Sequence, residues 1–291
     1  MTLNEVFDNY LIYYEFLLRP STLKSDIATY NKHIKQGLGL NCINEIVFLD
    51  IQSFCNNLIR SGYKIKTVKN ILTKLKVVFK FAIKLELITK NPCDFVELPR
   101  FDNKIYFNYS VKMQKNIIKA IINNDSPTSD IFYFLLHGRR KNEVLSLKWS
   151  DINFKNKTYS IPFQINKAKR TMIYLMSDGL YHRLYKRYVS LVKSGSYSLD
   201  NYVFVNPATN NKYVDLRKSW HRLLKTNNLP KLRLHDIRHL IATYSINHLG
   251  SSVELVSYCL GHTNIATTQR YITKDMKMSL SVIENMLKSV K

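Results

Sequence analysis

The sequence predicts a two-part chain, mainly α with a small antiparallel β-sheet in its second part. Three observations carry this. The chain has 291 residues, which suits about two domains rather than one. Its first hundred residues show successive apolar stripes at helical spacing. After residue 110 such stripes are broken by short alternating stretches between residues 152 and 175. Hydrophobic content of 45% is enough to give each part a core.

Leu3, Val6, Phe7, Tyr10, Leu11 and Tyr14 recur three or four apart and form a first helix, and Arg19-Pro20 ends the run. Ser21 is a candidate cap for a second helix with Leu23, Ile27, Tyr30 and Ile34 on one face. Asp50 is the candidate cap of a third, with Ile51, Phe54, Cys55 and Leu58 inward. A fourth holds Val68, Ile71, Leu72, Leu75, Val78, Phe79, Ala82 and Ile83, and Asn91-Pro92 closes the region. Core packing explains these stripes. Lys66, Lys69, Lys74, Lys76 and Lys80 fall on the opposite face, which suits either water or phosphate. Residues 96–110 lack periodicity and hold Pro99, Arg100, Asp102 and Asn103. A linker is placed at residues 98–109, between domains of residues 1–97 and 110–291.

In the second part, helices are expected at residues 111–122 and 131–136, followed by the segment at 140–147. Alternation at residues 152–154, 158–162 and 171–175 predicts the sheet. Asn156-Lys157 suits its first turn, and residues 166–170 a second, strongly basic one. Further helices are expected at residues 177–193 and 215–226. A longer one follows, with Ile237, Leu240, Ile241 and Tyr244 inward and Gly250 as its stop. Ser251 and Glu254 fit a capping box for another that stops at Gly261.

Charge narrows the partners. The chain carries 44 Lys+Arg against 21 Asp+Glu, a net of +23. Residues 1–100 hold 14 Lys+Arg and 9 Asp+Glu, a net of +5, which leaves +18 for residues 101–291. Such a field draws polyanions, nucleic acid foremost. An anionic membrane would call for a basic amphipathic helix or a lipid signal, and neither stands out. There is no run of about 18 apolar residues, so no membrane span is expected. The start, MTLNEVFDNY, lacks the basic and apolar segments of a signal peptide. Cys42, Cys55, Cys93 and Cys259 form no CxxC pair, which fits reduced cysteines of a cytoplasmic protein.

Several residues carry potential chemistry. His235 and Arg238 are three apart at a helix start and share a face, where two donors and the helix dipole can clamp an anion. His235-Asp236-Ile237-Arg238-His239 also has the spacing of a zinc-protease helix. Asp is short for the general base of that motif, and Arg238 between the histidines would repel a metal. His262 follows Gly261, and Tyr271 stands nine residues further on among 19 tyrosines. His137-Gly138-Arg139-Arg140-Lys141-Asn142-Glu143 sets three cations after an apolar helix. That is a solvated loop, or a loop in which Arg140 faces a phosphate while Glu143 anchors it.

Taken in order, Gly138-x-Arg140-x-x-Glu143, Lys167 on a hairpin turn, His235-x-x-Arg238, Gly261-His262 and Tyr271 resemble the tyrosine recombinase family over residues 110–280. The helical first hundred residues resemble its core-binding domain. His137 stands where the family often has Thr, and Arg139 where it usually has an apolar residue. Spacing to Glu143 favours Arg140 over Arg139 as the catalytic arginine, and Lys169 competes with Lys167.

The resemblance implies an Xer-like site-specific recombinase, serving chromosome dimer resolution or integration and excision of a mobile element. Tyr271 would attack a DNA phosphodiester and form a 3′-phosphotyrosine, with no ATP, metal or other cofactor. Arg140, His235, Arg238 and His262 would stabilise the phosphorane, and Lys167 would protonate the leaving 5′-oxygen. Candidates for DNA contact are Lys66, Lys69, Lys76, Arg139, Lys141, Lys169 and Arg170. The implied partner is a double-stranded recombination site, bound by a homotetramer on two duplexes. The tail after Tyr271, with Met276, Leu280, Ile283, Leu287 and Val290, would form a helix docking on a neighbouring protomer. An accessory protein is left open, and the location would be cytoplasmic, at the nucleoid. A type IB topoisomerase and a recombinase-derived DNA-binding protein without activity are the alternatives.

Overall fold

The computed structural model describes residues 1–101, 107, 109–166, 170–262 and 264–269. The chain divides into two compact units, Met1–Ile105 and Tyr106–Lys291.

The first unit is built from α1 (Leu3–Tyr14), α2 (Pro20–Thr29), a π-helical turn (Tyr30–Ile34), α3 (Lys35–Leu38), α4 (Phe48–Arg60) and α5 (Ile65–Lys84). The apolar stripes meet in one core that includes Leu3, Phe7, Ile34, Ile51, Ile71 and Phe79. Phe7 stacks on Tyr30 with ring centroids 3.8 Å apart. Thr2 and Glu5 bond each other's backbone in a capping box that starts α1. Two expected caps are corrected. Arg19 is the N-cap of α2 and Pro20 its first residue, because a helix start wastes no N–H on proline. Asp50 sits one turn into α4 and accepts from the N–H of Val47 at 2.9 Å. Lys74 is also corrected. It leaves the solvated face to pair with Asp26, a buried carboxylate that accepts from Tyr10 Oη at 2.9 Å.

The second unit opens with α6 (Val111–Ile122), α7 (Ser129–Leu135) and α8 (Lys141–Leu145). The strands β1 (Ile152–Asn153), β2 (Thr158–Ile161) and β3 (Met172–Leu175) form an antiparallel sheet in that order, with Thr158 opposite Leu175 and Ile161 opposite Met172. Next come α9 (Asp178–Lys193), β4 (Val205–Asn206), β5 (Asn211–Lys212), α10 (Arg217–Thr226), α11 (Asp236–Leu249), α12 (Val253–Leu260) and α13 (Ala266–Gln269). The β4–β5 hairpin and α13 were not foreseen, being too short to show periodicity. Ser252 caps α12 through the N–H of Leu255 at 3.2 Å, one residue later than the expected box.

The core of this unit gathers Phe132, Phe134, Trp149, Tyr159, Leu180, Trp220 and Ile237. Burying such a side chain contributes about 1.5–3 kcal/mol. Trp220 meets Phe132 edge-on at 5.3 Å and donates its indole N–H to Leu232 O at 2.8 Å. This core fixes the ends of α7 and α11, where the candidate site lies. Among the described residues, no helix is long and apolar enough to cross a membrane.

Candidate active site

After α7 the chain reverses at Gly138, with φ +76°. A Cβ there would lie 2.8 Å from Leu260 Cδ2, so only glycine lets this loop close on the end of α12. Arg140 follows as the N-cap residue of α8. The carboxylate of Glu143 accepts from the Arg140 backbone N–H and from its Nη1, both at 2.8 Å. Glu143 is 5% exposed in its side chain and Arg140 is 28% exposed. The buried carboxylate thus aims a partly open guanidinium, which presents five N–H donors in a plane.

At the start of α11, Arg238 is buried and donates to two backbone carbonyls, Gly138 O and Leu260 O, the latter at 2.9 Å. One guanidinium thereby ties the loop before Arg140 to the turn before His262. His235, the N-cap residue of α11, is exposed, with its ring edge-on to His239 at 5.6 Å. Partial desolvation lowers its pKa from the ordinary 6.5, and the charges of Arg238, Arg233 and Arg140 add to this while Asp236 opposes it. A neutral imidazole beside phosphate-binding cations can accept a proton. Asp236, the acid of the zinc-like spacing, accepts from the Arg233 backbone at 2.9 Å and from its Nη2 at 2.6 Å. Among the described residues, no three His, Cys, Asp or Glu side chains group as metal ligands.

Gly261 ends α12 with φ +63°. His262 then bonds Ser257 O through its backbone N–H at 3.0 Å, and its Nδ1 meets Thr268 Oγ1 at 2.7 Å. Thr268, on α13, is fully buried. It supports His262 from six residues away, and sequence reasoning missed it.

Arg140, Arg238 and the Gly261–His262 turn are joined through Arg238's two carbonyls, and His235 lies within the electrostatic reach of both arginines. Lys167, Lys169, Tyr271 and the tail at residues 277–291 lie outside the described residues. Just before the two lysines in the chain, Asn166 donates from Nδ2 to Arg170 O at 2.6 Å.

Arg139 is a correction to the DNA-contact set. It is 2% exposed, donates through Nε to His137 O at 3.1 Å, and lies 3.5 Å over the Tyr174 ring. Of the remaining candidates, Lys66, Lys69 and Arg170 are exposed, Lys76 pairs with Asp94 at 2.6 Å, and Lys141 donates to Val214 O at 3.2 Å. His137 bridges Tyr133 O at 3.3 Å and Ser177 Oγ at 2.7 Å.

Known proteins match this chain at two levels. The model of the phage integrase family matches residues 112–278. The ICEBs1 integrase of Bacillus subtilis is 28% identical, over 89% of this chain and 75% of that protein. A XerC-like tyrosine recombinase of Caldanaerobacter subterraneus is 26% identical, over 88% of this chain and 74% of that protein. In fold, the Tn1549 transposon integrase in complex with transposon right end DNA aligns with a TM-score of 0.76 at 19% identity, over 99% of this chain and 100% of that one. A lambda integrase tetramer bound to a Holliday junction aligns at 0.69 and 18% identity, over 94% and 78%.

Proposed function

The chain belongs to the phage integrase family and is a tyrosine site-specific recombinase, and from that premise we propose how its residues break and rejoin DNA. The observation that carries the proposal is the bracing of Arg140 by Glu143, beside an Arg238 that holds the loops of Arg140 and His262 together.

Tyr271 attacks the scissile phosphorus. The P–O5′ bond breaks as the bond to the Tyr271 oxygen forms, leaving a 3′-phosphotyrosine and a 5′-hydroxyl. A 5′-hydroxyl of the partner strand reverses the step, so one phosphodiester replaces another without ATP. Negative charge gathers on the equatorial oxygens in the transition state. Arg140, with Arg238 and His262, stabilises that state more than the ground state. A tyrosine hydroxyl is mostly protonated at neutral pH, so it must lose its proton as it attacks. Neutral His235 takes its proton. Lys167, or Lys169 two residues on, protonates the departing 5′-oxygen.

The substrate is double-stranded DNA at a recombination site, belonging to a mobile element or to a chromosome resolution locus. Lys66, Lys69, Lys76, Lys141, Lys169 and Arg170 supply sequence-independent phosphate contacts. The first unit acts as the core-binding domain. Four copies assemble on two duplexes, each tail at residues 277–291 docking on a neighbour, in the cytoplasm at the nucleoid.

The test is covalent capture. Purified protein is incubated with sheared host DNA and quenched with denaturant, and the protein-linked ends are sequenced. Adducts clustering at one short sequence with the wild type, and absent with Tyr271→Phe, are expected. No adduct from the wild type, or the same adduct from Tyr271→Phe, overturns the proposal.

A further inference from the structure

Arg139 poses a physical question. A guanidinium keeps its charge in any protein environment, and burying it is costly unless something takes up its donors and its field. Its Nε goes to His137 O at 3.1 Å, and its Cζ lies over the Tyr174 ring, 3.5 Å from the centroid. The negative face of an aromatic ring suits that load.

Tyr174 belongs to β3, the strand that follows Lys167 and Lys169 in the chain. Its neighbours on β3, Ile173 and Leu175, face solvent, while Tyr174 and Met172 face the interior. The cross-strand partner of Tyr174 is Tyr159 of β2, with ring centroids 5.5 Å apart. Tyr174 therefore reports the register of the whole β2–β3 hairpin. Its hydroxyl would stand 2.6 Å from a Cβ on Gly261, and the Met172 methyl and Arg139 Nη1 crowd the same spot at 3.4 and 3.6 Å. Gly261 has no side chain where the hairpin's inner face meets the turn that precedes His262. Arg139 immediately precedes Arg140. One contact thus joins three carriers of catalytic side chains.

We infer that Arg139 and Tyr174 are positioning residues, whose stack locks the β2–β3 hairpin, carrier of the general-acid lysine, onto the Gly138–Arg140 loop and the Gly261–His262 turn. This rests on the recombinase reading above. The stack touches no reacting atom. Its effect falls on proton delivery to the 5′-oxygen, the one step that the hairpin serves.

That restriction makes the inference testable. Replacing the bridging 5′-oxygen by sulfur leaves a thiolate as the leaving group, which departs without a proton. Single-turnover cleavage is measured on nicked suicide duplexes bearing the site found by covalent capture, one with oxygen and one with sulfur at the scissile bond. Arg139→Met and Tyr174→Leu should cleave the oxygen duplex about 10- to 100-fold more slowly than the wild type. On the sulfur duplex they should recover to within about threefold. Tyr174→Phe keeps the ring beside Arg139 and loses the hydroxyl at Gly261, so on oxygen it should slow less than Tyr174→Leu, and on sulfur it should match the wild type. Arg140→Ala should be slow on both, because it acts on the phosphate itself. Equal slowing of Arg139→Met and Tyr174→Leu on the two duplexes overturns the inference, as does full activity on oxygen. Should Arg139→Met fail to fold, the contrast of Tyr174→Leu with Tyr174→Phe decides alone. A wild type that cleaves neither duplex refutes the recombinase reading itself.

Discussion

Arg238 donates to the carbonyl oxygen of Gly138, a residue one hundred positions earlier in the chain, while its second nitrogen takes Leu260 O. An arginine assigned to the transition state in the proposed reaction is therefore also the fastener of the site. Lysine carries the same charge on a single nitrogen, which cannot span two carbonyls in a fixed fork. Arg238→Lys should lose about 1–3 kcal/mol for the buried carbonyl it leaves unpaired. It should also form little covalent adduct. Urea unfolding measures the first effect, and denaturing gels after incubation with the site measure the second. A stable Arg238→Lys with wild-type adduct formation would contradict the fastening role.

Glu143 offers a separate test of bracing. Both its contacts to Arg140 put N–H donors on carboxylate oxygens. In Glu143→Gln one of those oxygens becomes an NH2 group that faces a donor. The lost charge-assisted bond should cost about 1.5–3 kcal/mol in a denaturant melt. Cleavage should slow by about 10- to 100-fold, less than the ~10²–10³ expected for removing a transition-state donor outright. DNA affinity by gel shift should hardly change. Loss of binding in step with cleavage would mean that Glu143 shapes the DNA surface instead.

The residues that the sequence made legible are those joined by short spacings. Arg140 and Glu143, three apart, and His235 and Arg238, three apart, lie on single turns of helix, so their meeting follows from 3.6-residue geometry. Gly261 before His262 is legible because a helix stop there needs φ > 0. What was hidden depends on contacts between distant elements. Nothing in three successive cations says that Arg139 turns inward, since Tyr174 lies across the sheet. Nothing in the lysine pattern of α5 says that Lys74 meets Asp26 of α2. The β4–β5 hairpin has two residues per strand, too few to alternate.

Protons should govern stability in a narrow window. Burial lowers the pKa of His137 from the ordinary 6.5, against the raising effect of its bond to Tyr133 O, and His235 is lowered as well. Since Tyr133 O can only accept, His137 Nδ1 carries the proton, and Nε2 then accepts from the Ser177 hydroxyl in the neutral ring. A histidine held neutral in the fold binds its proton more readily when unfolded. Stability from these two groups is full above pH 6.5, falls as pH drops through that value, and levels off below their folded pKa values. Thermal melts from pH 8 to 5 should show the decline, and His137→Gln should flatten it. A melt unchanged across that range, or equally steep in His137→Gln, counts against it.

Thr268 gives the last test, because its hydroxyl serves the His262 ring. Thr268 is fully buried, and its hydroxyl meets His262 Nδ1 at 2.7 Å. That bond holds the His262 ring in one orientation beside the Gly261 turn. Valine has nearly the same shape without the hydroxyl, so Thr268→Val removes the orientation and keeps the packing. The net stability cost should be about 1 kcal/mol. If the freed ring spends most of its time misaligned, cleavage should slow by about tenfold, equivalent to 1.4 kcal/mol of transition-state stabilisation. Thr268→Ser restores the hydroxyl and should recover most of the rate at a small packing cost. Single-turnover cleavage of the three proteins on one suicide duplex separates the outcomes. Equal slowing of Thr268→Val and Thr268→Ser would trace the defect to the lost methyl and would leave His262 unsupported by this hydroxyl.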